Sequence, residues 1–149
     1  MSKPTVLVVD DEIGIRGLVQ AVLEDGDCRA VLAGTPSQAL RLAEQDPPDV
    51  AILDFMLPEM AGTDLGLKLR ERFGDTFPLV FMSAVDIPSS KLAALSSYLF
   101  LSKPFDIDNV LEAVRSALAP VQPRPLTISS SPDREESLAS EPQRRGAAR

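Results

Sequence analysis

The sequence predicts an α/β protein with a five-stranded parallel sheet covered by helices on both faces, a doubly wound arrangement. Three observations indicate this class. Five short apolar segments alternate along the chain with five segments of helical character. The apolar segments are continuous rather than interrupted by polar residues, which is typical of strands buried on both faces. A helical segment follows each of them, and right-handed crossovers join such units into an open sheet.

The five strand candidates are short and rich in valine, isoleucine, leucine and phenylalanine. They cover residues 5–9 (TVLVV), 29–32 (RAVL), 50–53 (VAIL), 78–82 (PLVFM) and 98–101 (YLFL). Because a helix follows each strand, we expect all five strands to run in the same direction.

The first two helical segments have recognisable ends. The first contains apolar residues near helical spacing, namely Ile13, Leu18, Val19, Val22 and Leu23. Gly26 is expected to end it. The second begins at Thr35-Pro36, an N-cap followed by a first-turn proline, and continues to about residue 44. The proline pair at 47–48 prevents its extension.

The last three helical segments follow the same logic. Thr63 or Asp64 is expected to cap the third helix, which ends at Gly74. A short, weak helix is predicted over residues 89–95. Asp106 is expected to cap the fifth helix, whose apolar positions are Ile107, Val110, Leu111, Val114 and Leu118.

Composition excludes several kinds of chemistry. The 149 residues include no histidine and one cysteine, Cys28. Catalysis by Ser-His-Asp or Cys-His within the chain is therefore excluded, as are a His-ligated zinc and an internal disulfide. The net charge of −7 argues against general nucleic-acid affinity. No uncharged run exceeds eleven residues and no signal peptide is visible, so we expect a cytoplasmic protein without a membrane partner.

The composition changes after residue 119. Residues 120–149 contain five prolines and the serine run at 129–131, with few large apolar residues. Such a segment cannot bury enough surface to offset its ordering entropy, so we predict a disordered Pro/Ser/Arg-rich tail. Residues 1–119 are expected to form one domain.

Polar side chains stand at the ends of four predicted strands: Asp10-Asp11, Asp54, Ser83 and Lys103. Because the carboxyl ends of parallel strands share one edge, we expect these side chains to meet there. Three neighbouring carboxylates repel one another, and a hard cation such as Mg²⁺ relieves that repulsion. Lys103 and Ser83 suit an anion, and a carboxylate such as Asp54 can attack phosphorus to form an acyl phosphate. Alternatively, Asp10-Asp11 could simply favour the start of a helix.

Four segments carry a more specific pattern: residues 6–12 (VLVVDDE), 53–62 (LDFMLPEMAG), 83–84 (SA) and 101–105 (LSKPF). In this combination they resemble the receiver domain of two-component response regulators, in a stand-alone form similar to the chemotaxis regulators. The resemblance covers about residues 4–119. It implies a flavodoxin-like fold with strand order 2-1-3-4-5.

The resemblance also implies a metal site and a phosphorylation site. Asp54 matches the phosphoacceptor. Asp11 would bind Mg²⁺ directly and Asp10 mainly through water, while Asp54 and the backbone carbonyl of Met56 would complete the protein ligands.

Further residues match positions that contact the phosphoryl group or respond to it. Ser83 and Lys103 match the pair that contacts the phosphoryl oxygens, and Lys103-Pro104 matches a cis peptide of the family. Ser83 and Phe100 match the switch positions, although an aromatic residue in a strand can also be ordinary core.

The resemblance implies a histidine kinase or a His-containing phosphotransfer protein as partner, because this chain offers no histidine as donor. We expect no output domain in the tail and no enzymatic activity beyond the chain's own phosphorylation and dephosphorylation. Two alternatives stay open: an aspartyl-phosphate phosphatase of the haloacid-dehalogenase type, and a structural adaptor that does not signal.

Two departures from the family pattern matter. The segment between Ser83 and Lys103 is short and lacks the usual Gly-Ala, which puts the length of the fourth helix in doubt. Met56 and Val85, two residues after Asp54 and Ser83, are apolar where family members tune dephosphorylation. We predict that they hinder an attacking water and lengthen the phosphorylated lifetime.

Overall fold

The computed structural model describes residues 3–119, and the tail predicted at 120–149 lies outside the described residues. The strands are β1 (Thr5–Val9), β2 (Arg29–Ala33), β3 (Val50–Asp54), β4 (Leu79–Ser83) and β5 (Leu99–Ser102). The helices are α1 (Ile13–Asp25), α2 (Pro36–Gln45), α3 (Gly62–Phe73), α4 (Ser89–Leu92) and α5 (Ile107–Leu118). All strand pairs are parallel, in the order β2-β1-β3-β4-β5. The predicted fold class and strand order are confirmed, while the domain boundary after residue 119 stays a prediction.

Helices bury the sheet on both faces, and successive strand residues point to opposite sides, so each strand contributes to two cores. In β1, Val6 and Val8 belong to the core formed with α1 and α5. Leu7 and Val9 belong to the core formed with α2 and α3. Every residue of β1, β3 and β4 is buried, which explains why these segments are continuously apolar.

The helices are short, and most of their predicted ends are confirmed. Gly26 is the C-cap of α1. The Thr35 hydroxyl accepts a hydrogen bond of 3.1 Å from the Gln38 N–H at the start of α2, and Pro36 is the first helical residue. No helix within residues 3–119 combines the length and apolar character needed to cross a bilayer.

The start of α3 differs from the prediction. Ala61 is the N-cap and makes no side-chain capping bond, so the cap predicted at Thr63 or Asp64 is wrong. The physical reason is the close approach of Gly62 to the end of β3, where a Cβ at that position would lie 2.1 Å from the Asp54 carbonyl oxygen. This tertiary contact fixes the helix start, and Thr63 becomes a buried residue inside the helix.

The region before α5 also differs in detail. Helix α4 ends at Leu92 rather than at residue 95, although Leu95 is still buried in the core. Strand β5 begins one residue later than predicted, and the preceding Tyr98 ring packs on Phe81 with centroids 6.0 Å apart. Asp106 is the N-cap of α5 as predicted, but its side chain makes no capping bond. The fourth helix, α4, is short as predicted, since it consists of four residues.

Candidate functional site

The four groups of polar residues predicted at strand ends meet at one edge of the sheet. Asp10 directly follows β1, Asp54 and Ser83 end β3 and β4, and Lys103 directly follows β5. The register places Asp54 beside Met82, one residue before Ser83. The carboxyl ends of the central strands are thus level, so these residues lie at the same edge of the sheet.

Three carboxylates form a cluster at this edge. Asp10, Asp11 and Asp54 each offer an oxygen, and these oxygens lie within 4.8 Å of one another. Asp10 and Asp54 are buried, with 0% and 5% exposure, whereas Asp11 is exposed. Two buried oxygen ligands and one at the surface suit a hard cation that keeps part of its water shell, as Mg²⁺ does. The donor set therefore fits the ion that the sequence predicts.

Lys103 lies among these carboxylates. Its Nζ is 2.9 Å from Asp10 Oδ2, 3.4 Å from Asp54 Oδ2 and 3.7 Å from Glu12 Oε1. Burial alone would lower the pKa of Lys103, but the hydrogen bond and charge of Asp10, followed by those of Asp54, outweigh it and raise the pKa. The lysine is therefore a fixed positive charge beside Asp54.

Asp54 has a raised pKa for reasons that also bear on metal binding. Burial is the largest cause and the charge of Asp10 the second, while Lys103 and the Met56 N–H offset part of the shift. The ionised carboxylate is thus disfavoured in the metal-free protein. A divalent cation at the cluster would remove that penalty.

Backbone and side-chain contacts hold Asp10 from several directions. Its Oδ1 accepts the Glu12 N–H at 2.9 Å, and its carbonyl oxygen accepts Arg16 Nη1 at 2.7 Å. Glu12, not Asp10 or Asp11, is the N-cap of α1. Sequence reasoning missed the contact of Arg16, because the position of Arg16 in α1 does not reveal that its side chain reaches back to Asp10.

Ser83 is buried, and its hydroxyl bonds within its own loop. Its Oγ donates to the Val85 carbonyl oxygen at 2.6 Å and accepts the Val85 N–H at 3.1 Å. Its carbonyl oxygen accepts the Lys103 N–H at 2.9 Å, which ties the ends of β4 and β5 together. The hydroxyl thus lies at the site edge, engaged with the loop rather than with the carboxylates.

The remaining predicted residues lie around this site. Phe100 is half-buried in β5, opposite Phe81 in β4, and packs against the core on the α2 and α3 face. Its switching role stays a prediction. Met56 and Val85 have exposed side chains, at 63% and 53%. The Lys103-Pro104 peptide is cis, as the resemblance implies.

The doubly wound sheet and the acidic and lysine cluster at its carboxyl edge agree with the receiver resemblance seen in the sequence. The family model described as the response regulator receiver domain matches residues 6–115. The chain belongs to the response regulator receiver family, whose members act in two-component phosphoacceptor signalling. This assignment favours the receiver over the phosphatase considered from sequence.

Individual relatives agree with the family match. Response regulator Rre1 of Synechocystis sp. is 38% identical over 125 residues, covering 80% of this chain and 54% of that protein. Transcriptional regulatory protein KdpE of Mycobacterium tuberculosis is 37% identical over 115 residues, covering 76% of this chain and 50% of that protein. The solved structure of chemotaxis protein CheY4 of Vibrio cholerae has a TM-score of 0.73 at 27% identity, covering 78% of this chain and 100% of that chain. The chain spans about half the length of the curated relatives it matches.

Proposed function

We propose that Asp54 accepts a phosphoryl group from a phosphohistidine on a partner histidine kinase or phosphotransfer protein. The observation that carries this proposal is the position of the buried Asp54 carboxylate. It lies in one cluster with Asp10 and Asp11 and 3.4 Å from Lys103. Such a site combines a nucleophile, a candidate cation site and a fixed positive charge.

The transfer is a displacement at phosphorus. A carboxylate oxygen of Asp54 forms the new O–P bond while the P–N bond to the donor imidazole breaks, and the imidazole keeps the electron pair. Lys103 would neutralise charge on the phosphoryl oxygens. Asp10, Asp11, Asp54 and the Met56 carbonyl would hold Mg²⁺, which supplies further neutralisation of that charge.

Phosphorylation is then proposed to change the surface through Ser83 and Phe100. The Ser83 hydroxyl would leave Val85 and donate to a phosphoryl oxygen. This acceptor is absent before Asp54 is phosphorylated. Space vacated near β4 would let Phe100 move inward from its half-buried position. The phosphoryl group shifts the population between two packings because it contacts one of them better.

The surface around the site favours a protein as phosphoryl donor. Four large apolar side chains are exposed on segments that follow the ends of β1, β3, β4 and β5: Ile13 at 78%, Met56 at 63%, Val85 at 53% and Ile107 at 55%. All four therefore lie at the phosphoacceptor edge of the sheet. Apolar side chains grouped on one edge are typical of protein contacts. We further propose that the chain acts in the cytoplasm, binds no nucleic acid itself, and turns over no substrate other than its own phosphoryl group.

Phosphorylation by a small donor tests the role of Asp54 directly. The wild-type protein is incubated with acetyl phosphate and Mg²⁺ and its intact mass is measured. One phosphoryl adduct is expected for the wild type and for Asp25→Asn, an exposed aspartate at the end of α1. No adduct is expected for Asp54→Asn or without Mg²⁺. An adduct that persists in Asp54→Asn would show that another residue is the acceptor.

A further inference from the structure

Arg16 links α1 to Asp10, the first residue of the acidic cluster in the sequence. It lies in the first half of α1, and its Nη1 donates to the Asp10 carbonyl oxygen at 2.7 Å. Among residues 3–119, no carboxylate lies close enough to Arg16 to form an ion pair. The half-buried guanidinium therefore directs a charge-assisted hydrogen bond at a main-chain carbonyl, and such bonds are about twice as strong as neutral ones.

Gly34 leaves the space that this contact needs. A Cβ at position 34 would lie 2.9 Å from Arg16 Nη1. The φ angle of Gly34 is not in the left-handed region, so the site requires a small residue rather than a flexible one. The Gly34 N–H donates to Gln38 Oε1 at 2.8 Å, which ties this residue to the first turn of α2. The bond to Gln38 thus holds Gly34 next to the guanidinium, where the absence of a side chain leaves room for Arg16.

The contact with the Asp10 carbonyl oxygen also bears on Asp11, the next residue. The Asp10 side chain has two other contacts, the Glu12 N–H at 2.9 Å and Lys103 Nζ at 2.9 Å. The exposed Asp11 side chain makes no hydrogen bond or ion pair with other residues of the described range 3–119. Because the peptide unit is planar, fixing the Asp10 carbonyl oxygen fixes the plane that leads into Asp11. Arg16 therefore helps to set the orientation of the peptide from which the Asp11 side chain projects.

We propose that Arg16 is a positioning residue for the metal site, with Gly34 as the residue that makes room for it. The guanidinium holds the peptide between Asp10 and Asp11 so that the Asp11 carboxylate joins the other two at the cluster. This inference rests on the proposed function, because it concerns the site that would hold Mg²⁺. It adds Arg16 of α1, with Gly34 between β2 and α2, to the site residues that the family resemblance implies.

The first test measures Mg²⁺ binding without phosphorylation. The unphosphorylated wild type and Arg16→Met are titrated with Mg²⁺, and binding is followed by amide NMR shifts around Asp11. We expect about tenfold weaker binding for Arg16→Met, the size typical of lost outer contacts at metal sites. The acetyl phosphate reaction should need correspondingly more Mg²⁺ for half its maximal rate, yet approach the wild-type rate at saturating Mg²⁺. A merely structural role would lower the melting temperature or the rate at every Mg²⁺ concentration instead.

A second variant tests the same contact from another element. Gly34→Ala should displace the guanidinium while leaving its charge and all site residues intact, since the atom it meets ends a flexible side chain. We expect weaker Mg²⁺ binding of the same sign, and no further loss in Arg16→Met/Gly34→Ala, because both changes remove one contact. The control is Arg41→Met, an exposed arginine of α2, which should bind Mg²⁺ as the wild type does.

The outcomes separate this inference from the proposed function. If the wild type binds Mg²⁺ and accepts phosphate but Arg16→Met and Gly34→Ala bind Mg²⁺ equally well, only the role of Arg16 is overturned. Additive losses in the double variant would overturn the role given to Gly34. A wild type that binds no Mg²⁺ and accepts no phosphoryl group would overturn the proposed function and this inference together.

Discussion

Lys103 forms its shortest ion pair with Asp10, at 2.9 Å, and lies farther from Asp54, at 3.4 Å. The lysine therefore compensates the buried carboxylate that would hold the metal as well as the one that would accept phosphate. Its raised pKa means that the folded state favours the charged lysine. That contribution to stability is present below the ordinary lysine pKa of 10.5 and is lost only as the pH rises through the higher native value.

Replacing Lys103 should destabilise the metal-free protein. Lys103→Met leaves the Asp10 and Asp54 carboxylates without their cation, and breaking a buried pair in this way costs about 3 kcal/mol. We expect a lower free energy of unfolding in urea at pH 7, partly restored by Mg²⁺. Lys68→Met, which changes an exposed lysine of α3, is the matched control. Equal losses in the two variants would contradict the compensating role of Lys103.

Asp54→Asn should stabilise the protein when Mg²⁺ is absent. The raised pKa of Asp54 means that the native state binds this proton more tightly than the unfolded state does, so wild-type stability falls as the pH rises through the native pKa. The asparagine variant has no such penalty. Its advantage should be small near the ordinary carboxyl pKa of 3.8, grow with pH, and level off above the native pKa. Urea unfolding from pH 4 to pH 8 measures the difference, and an advantage that is constant with pH would contradict this explanation.

Local patterns predicted most of the fold and the meeting of three carboxylates and Lys103 at one sheet edge. Continuous apolar runs followed by Asp54 or Ser83 identify strands and their carboxyl ends without reference to the rest of the chain. The Thr35-Pro36 start of α2 is likewise a local feature. These predictions succeeded because a strand buried on both faces has a continuously apolar sequence, and the start of α2 is marked by its own residues.

The features that the sequence did not predict depend on how the folded chain packs at the sheet edge. The start of α3 is fixed by the approach of Gly62 to the backbone of Asp54, which no capping pattern encodes. The contact of Arg16 with the Asp10 carbonyl requires the folded β1–α1 connection. The preference of Lys103 for Asp10 joins residues that are 93 positions apart. Each of these is set by packing at the sheet edge rather than by local propensity.

The apolar side chains at the phosphoacceptor edge should distinguish a protein donor from a small one. Ile13→Asp places a charge where a partner would bury an apolar side chain, so phosphotransfer from a cognate phosphorylated kinase should slow about tenfold. Phosphorylation by acetyl phosphate should change little, because Ile13 is not among the site carboxylates. Leu118→Asp, at the far end of α5, adds the same charge at the opposite edge and is the control. If Ile13→Asp slowed phosphorylation by the kinase and by acetyl phosphate equally, the substitution would act on the phosphorylation site and not on kinase docking.

The phosphorylated lifetime should depend on the polarity of position 56. Met56 and Val85 are exposed apolar side chains that follow Asp54 and Ser83 by two residues. Neither can hydrogen-bond a water that attacks phosphorus and releases inorganic phosphate. Met56→Asn supplies a group that can orient this water, so we expect acyl-phosphate decay about tenfold faster. Met56→Leu retains an apolar side chain and should decay at the wild-type rate, which separates polarity from shape. Decay is followed by intact mass after removal of acetyl phosphate, and identical rates for Met56→Asn and the wild type would rule out shielding by Met56.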